Sequence, residues 1–216
     1  MRVLCTGLLV TAALMAQLVP GKQDDLIIPG ERIGAFTAAT GHEGLRRAFG
    51  AINVVDQMID SEEGNSAPGT IIYKGDPERE LQILWKDNDP TKPPAQIFIC
   101  RSSRSKCQWH TRSGITIGTT LQKLEQLNKK PFSLSGFFWD YAGGVISWDD
   151  GKLEKELDKG GRLMLFLSPS KDAVEKLTSE ERKAISGDQT MRSGDAPVRK
   201  LNPAVESMKL LGFSSK

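Results

Sequence analysis

The chain has little of the residue types on which most recognisable enzyme chemistry depends. Two histidines, His42 and His110, and three cysteines, Cys5, Cys100 and Cys107, stand in 216 residues. Zinc sites need four nitrogen or sulfur ligands or a comparable carboxylate set, so a metal centre is not expected. No Cys-x-x-Cys pair is present, which removes a thioredoxin-like redox role. A Gly-x-Ser-x-Gly elbow, a phosphate loop and a full calcium loop are also missing, so no cofactor is expected either. An excess of one charge is lacking too: 29 basic residues face 27 acidic ones and are scattered along the chain. Without a basic arm or stripe there is no electrostatic footprint for nucleic acid.

Several short patterns survive that filter and read as ordinary structure. Ser103 and Lys106, and again Ser168 and Lys171, have the serine-lysine spacing of penicillin-recognising enzymes, but the Ser-Asp-Asn and Lys-Thr-Gly partners of that chemistry are absent. Asp87-Asn88-Asp89 and Asp149-Asp150-Gly151 read as turns, because Asp and Asn side chains bond their own backbone in tight bends. His42 and His110 read as surface histidines.

What is there begins with a leader. Arg2 precedes an apolar run from Val3 to Val19 that closes on Pro20, Gly21 and Lys22, the pattern of a signal peptide spanning residues 1–22 with a cut near Ala16. An uncleaved anchor is the alternative, since the run approaches the length that spans a bilayer. Cleavage removes Cys5 and leaves Cys100 and Cys107, an even number in an oxidising compartment. Ile97 to Cys100 reads as a strand, Arg101 to Lys106 as a turn and Cys107 to His110 as a returning strand. A disulfide across that hairpin is expected.

With 38% hydrophobic residues the chain can bury a core. Periodicity and turn clusters predict an α+β domain over residues 23–216. A helix is expected around Glu43 to Phe49 with Leu45, Ala48 and Phe49 inward, then strands at Ile52 to Ile59, Gly69 to Lys74 and Leu81 to Trp85. Gly114-Ile115-Thr116-Ile117-Gly118 repeats the style of Gly30-Glu31-Arg32-Ile33-Gly34. It leads into a second helix, Thr119 to Asn128, with Leu121, Leu124 and Leu127 inward and Thr119 or Thr120 as its cap. The fold expected is two related helix-on-antiparallel-sheet motifs, about 27–86 and 112–168, with a helix and strand extension over 169–216. Val145 to Trp148 is a further strand, and Arg162 to Leu167 is apolar enough for a central one. Helix is expected within Lys171 to Ser186 with a new start near Ser179, an exposed loop over Gly187 to Val198, and a final strand within Pro203 to Phe213.

Six of the chain's aromatic rings fall within residues 132–148: Phe132, Phe137, Phe138, Trp139, Tyr141 and Trp148, interleaved with glycines and Asp140. The segment resembles a group of uncharacterised exported bacterial proteins with an Asn-Gly-Lys-Pro-Phe run followed by Gly-Phe-x-Trp-Asp-Tyr-x-Gly-Gly. The matching residues are Asn128, Lys130, Pro131, Phe132, Gly136, Phe137, Trp139, Asp140, Tyr141, Gly143 and Gly144; Lys129 stands where that group has glycine. The resemblance extends to the start of the mature chain and to Leu201-Asn202-Pro203. The wider architecture is similar to the tandem-repeat fold of beta-lactamase inhibitor proteins, which implies binding more often than catalysis.

Rings on a glycine-rich loop present recognition area, or they close a core. On the first view Phe132, Gly136, Phe137, Trp139, Asp140 and Tyr141 are the candidate binding residues; no catalytic residue and no metal ligand is assigned. The expectation is an extracytoplasmic noncatalytic domain, periplasmic or secreted, whose partner is a protein or cell-envelope component. No nucleic acid is expected, and a membrane only if the leader stays attached. The alternatives are a periplasmic enzyme acting on a cell-envelope substrate, with Asp140, His110 or Glu31 as candidate residues and no reaction named, and a structural envelope protein retained by an uncleaved leader.

Overall fold

The computed structural model describes residues 24–61, 64–103, 106–140, 142–158 and 162–213. The expected leader over residues 1–22 lies outside these described residues. Helices and sheets are mixed through the remainder, as the α+β expectation requires.

The largest sheet has six strands: β4 (Val54–Asp60), β5 (Ser66–Ile72), β6 (Leu81–Trp85), β7 (Pro94–Ile99), β11 (Arg162–Ser168) and β13 (Ala204–Leu211). They run in the order β11-β13-β7-β6-β5-β4 with every neighbouring pair antiparallel. The first four form a meander. The β5–β6 ladder stops at Gly69 opposite Leu84, next to Pro68, which has no N–H to continue it.

Arg162 to Leu167 was expected as a central strand, but β11 sits at an edge of the sheet. Its apolar run has a different cause: Leu163, Leu165 and Leu167 enter the core while Met164 and Phe166 half-bury on the opposite face. The free side of β11 is capped by chain 143–144, where Leu167 N donates to Gly143 O at 2.9 Å and Gly144 bridges to Phe166.

A second sheet joins segments far apart in sequence. β1 (Leu26–Ile28), β2 (Arg32–Ile33), β3 (Phe36–Thr37) and β8 (His110–Thr111) form the order β3-β2-β1-β8, with β1 and β8 parallel and Ile27 opposite Thr111. A third, of three strands, sets β9 (Ser133–Ser135) between β10 (Val145–Ser147) and β12 (Thr190–Arg192).

Helix α1 (Gly41–Phe49) buries Leu45 and Phe49, one turn apart; Ala48, expected inward, is exposed. Helix α2 (Leu121–Asn128) begins where Thr120 Oγ1 accepts from Lys123 N at 3.3 Å. It buries Leu121 and Leu124 against the core and half-buries Leu127. It ends on Lys129, whose φ of 69° lies in the left-handed region and whose N–H donates to Glu125 O. That position favours glycine, so Lys129 keeps the turn that glycine would make and carries its strain.

α3 (Glu154–Leu157) is a single turn. α4 (Lys171–Glu175) and α5 (Ser179–Ala184) are separated by Thr178, which forms a reciprocal cap with Glu181. Residues Gly187 to Val198, expected as an exposed loop, hold β12 and the start of α6 (Ala196–Leu201), and they bury Met191, Ser193 and Val198.

The disulfide between Cys100 and Cys107 is formed, with Cα atoms 5.9 Å apart. It does not cross an antiparallel hairpin as expected. Both sides of β7 are already filled, by β6 and β13, so residues 107–109 have no edge to pair with. They run as a loop past the 78–80 turn: Gln108 N donates to Glu78 O at 2.8 Å, and Trp109 Nε1 to Arg79 O at 2.8 Å. Cys100 N donates to Glu80 O at 2.8 Å, so one turn grips both arms of the bridge.

Candidate functional site

The aromatic segment divides between core and surface. Phe132, Phe137 and Trp148 are buried, and the Phe132 and Trp148 rings pack with centroids 4.9 Å apart. Phe132 is held at both backbone atoms by buried Ser193: Phe132 N donates to Ser193 Oγ at 2.9 Å, and Ser193 N to Phe132 O at 2.8 Å. Phe137 is clamped the same way by the end of α5, its N–H donating to Ile185 O at 2.7 Å and its carbonyl accepting from Gly187 N at 3.0 Å. The expectation that Phe132 and Phe137 line a binding surface is therefore corrected: flanking β9 just before its start and just after its end, both are buried in the core.

Two glycines make this seating feasible. A Cβ on Gly136 would collide with Gly187 O, and one on Gly143 with Leu167 O. The buried Gly136 is thus a close-approach residue at the foot of the loop, tied to Gln189 O and Gly143 N. It is not an exposed contact.

Between these anchored feet Phe138 and Asp140 are exposed. Phe138 is 48% exposed and adopts φ 65°, a left-handed conformation that costs a bulky L-residue about 1 kcal/mol. The Arg182 guanidinium lies 5.5 Å from its ring centroid, within cation–π range. Trp139 is half-buried, with Nε1 donating to Gly136 O at 2.9 Å, which ties its indole to the foot of the loop. Asp140 is exposed. Tyr141, the remaining candidate, lies outside the described residues.

The surface thus contains Phe138, a ring not among the expected contacts, together with Trp139 and Asp140. Sequence order could not separate Phe137 from Phe138, because only the backbone angle at Phe138 leaves its ring half in solvent while it still packs on the buried Phe137 ring, with centroids 6.2 Å apart.

Neither histidine joins Asp140. His42, in α1, sets Nε2 2.8 Å from Asp56 Oδ1 on β4. The same oxygen accepts from Thr70 Oγ1 at 2.8 Å, and Thr70 Oγ1 accepts from Trp85 Nε1 at 3.0 Å. Arg46 reaches the other carboxylate oxygen at 3.4 Å. Burial opposes ionisation of Asp56, but the hydrogen bonds from His42 and Thr70 and the charges of His42 and Arg46 hold its carboxyl below the usual range. The hydroxyl here bonds the carboxylate and not the imidazole, so the group lacks the nucleophile–base contact of hydrolytic triads. It pins α1 to the edge of the large sheet.

His110 Nδ1 lies 3.0 Å from Thr111 O. Ser103 Oγ bonds the backbone of Lys106 at both its carbonyl and its N–H, and the Lys171 amine faces Glu175 at 3.8 Å, so neither serine-lysine spacing forms a reactive pair. Asp87 accepts from Lys92, Asp89 from Thr91, and Asp149 from Ser133 and Arg192. Among the described residues no group of three or more His, Cys, Asp or Glu is placed to hold a metal ion.

No protein-family model, curated protein or solved structure matches the chain. Among the described residues no helix is long and apolar enough to cross a membrane.

Proposed function

We propose that this protein is an exported, noncatalytic binding module of the cell envelope that presents Phe138, Trp139 and Asp140 to a protein or envelope partner. The observation that carries this reading is Phe138: a large ring left half in solvent, on a strained backbone, between two segments clamped into the core. Strain of this kind persists where the surroundings over-determine it and where the exposed group has work to do. The adjoining indole, carboxylate and the Arg182 guanidinium supply the mixed aromatic and charged chemistry of interface hot spots.

Export is supported by the leader pattern and by the disulfide, which persists in an oxidising compartment. The duplicated-motif reading is supported by one spacing. Gly30 and Gly114 have φ of 77° and 80°, Gly34 and Gly118 of 53° and 86°, and the buried Ile33 and Ile117 follow the same offset as the Ile27–Thr111 pairing of the parallel strands. The likeness stops after the second helix, where the first copy forms a meander and the second splits between two sheets.

The test is site-specific photo-crosslinking in the native envelope, with a benzoyl-phenylalanine at position 138 and, as control, at the exposed Ile52 on another face. A discrete adduct formed from position 138 and not from 52 is expected. Equal or absent crosslinking from both would remove the loop as the binding surface.

A further inference from the structure

The strands β1 and β8 run parallel, so their carboxyl ends open on the same side of the small sheet. There the chain forms a cleft of about 370 Å³ between the β1–β2 turn, the residues after β8, and α3, within the ~300–1,000 Å³ of small-ligand sites. One side is apolar, built from Ile27, Ile28 and Pro29. The other gathers three cations from three separate segments: Arg112 after β8, Lys152 before α3, and Lys155 within it. All three side chains are exposed, and none forms an ion pair with a carboxylate of the described residues.

Two carboxylates also line the cleft. Glu156 spends an oxygen on the Ser113 backbone N–H at 2.9 Å, holding the chain after β8 against α3; Glu31 lies on the turn beside Pro29. The cations therefore outnumber the acids, in a protein whose total is 29 to 27. With one of the two acids already engaged, the cleft keeps an excess of positive charge beside its apolar wall, which suits a ligand that is anionic at one end and apolar at the other.

We infer that this cleft binds an acidic amphiphile: a phosphate or carboxylate group held by Arg112, Lys152 and Lys155, with its hydrocarbon portion against Ile27, Ile28 and Pro29. The amphiphile enters as a single molecule and not as a bilayer. This site shares no residue with the aromatic loop, so the two stand or fall separately.

The experiment is calorimetric titration of the exported protein with octyl phosphate and octanoate below their aggregation concentrations, with octyl glucoside and inorganic phosphate as partial probes. Saturable one-to-one binding of an acidic probe is expected, at least tenfold tighter than either partial probe. The Lys152→Gln, Lys155→Gln double variant should weaken it at least tenfold with its unfolding midpoint unchanged, and Arg112→Gln serves as an independent second variant. Binding undiminished in both variants, or no binding of either acidic probe, would overturn the site. Inorganic phosphate binding as tightly as octyl phosphate would remove the apolar half of the claim. Association with phosphatidylglycerol vesicles without saturable binding of the acidic probes would assign the face to a membrane surface and overturn the single-molecule pocket.

Discussion

Replacing Asn128 with alanine should cost the domain about 3 kcal/mol, because this one buried amide ties three segments together. Its Nδ2 donates to Lys130 O and to Trp148 O, each at 3.0 Å, and its Oδ1 accepts from Leu153 N at 3.1 Å. Gly151 lies so close to the amide that no Cβ would fit. After truncation the Lys130 carbonyl can turn to water, since that residue is exposed, and Trp148 O keeps the Gly151 N–H at 3.0 Å. The Leu153 N–H keeps nothing and is buried.

An orphaned buried donor costs about 1–3 kcal/mol, and the vacated volume adds a cavity contribution of about 1 kcal/mol. With a urea slope of about 2 kcal/mol/M, the sum corresponds to a midpoint shift of about 1.5 M. Asn128→Asp sharpens the test. It preserves shape and the Leu153 bond but turns a second oxygen onto two carbonyls, so it should be at least as damaging at pH 7 and partly relieved at pH 4, where the acid can protonate and donate. Urea unfolding followed by circular dichroism measures both. A loss below about 1 kcal/mol in the alanine variant would refute the hub assignment.

Three further outcomes follow from the same physics. Lys129→Gly, which suits φ 69°, should stabilise the protein by about 0.5–1 kcal/mol in the same urea assay. Replacing Cys100 and Cys107 together by alanine should lower stability by about 2–3 kcal/mol, the chain-entropy value for bridging a separation of 7 residues. Calorimetry would show a fall of roughly 5–10 °C in the melting temperature. On acidification, Asp56 is ionised to lower pH in the folded protein than in the unfolded chain. Its contribution is thus present above the ordinary Asp value of about 3.9 and is lost as pH falls through the depressed folded value. Asp56→Asn should flatten the stability–pH curve below about pH 4, and an unchanged acid limb would show that the His42–Asp56 contact is not maintained in solution.

Much of the large sheet was legible because its signals are local. Leu81 to Trp85 stands between turn residues and forms a strand with those bounds, the Thr120 hydroxyl marks the start of α2, and α5 opens at Ser179, where a new helix start was expected. What escaped depends on distant partners. The two- and three-residue strands β2, β3, β9 and β12 carry no periodicity of their own and exist because another segment pairs with them. The apolar alternation of β11 reveals two covered faces but not how many neighbours the strand has. Cys107 to His110 looked like a returning strand because nothing local reveals that β13 already occupies the other side of β7.

At the site, the cluster of rings was visible but its division was not. Burial of Phe132 comes from Ser193, and burial of Phe137 from Ile185 and Gly187, some 50–60 residues downstream. The His42–Asp56 pair joins a helix to a strand across 14 positions with no motif spacing to announce it.

The central claim, that the Phe138–Asp140 loop is a recognition surface, is tested most directly by measuring the dissociation constant of the crosslinked partner, once purified, for wild type and for Phe138→Gly. Glycine relieves the left-handed backbone, so the variant should unfold at the same or a higher urea concentration while binding at least tenfold more weakly. An equal affinity in a variant of undiminished stability would contradict the claim and leave the exposed ring without a role in binding.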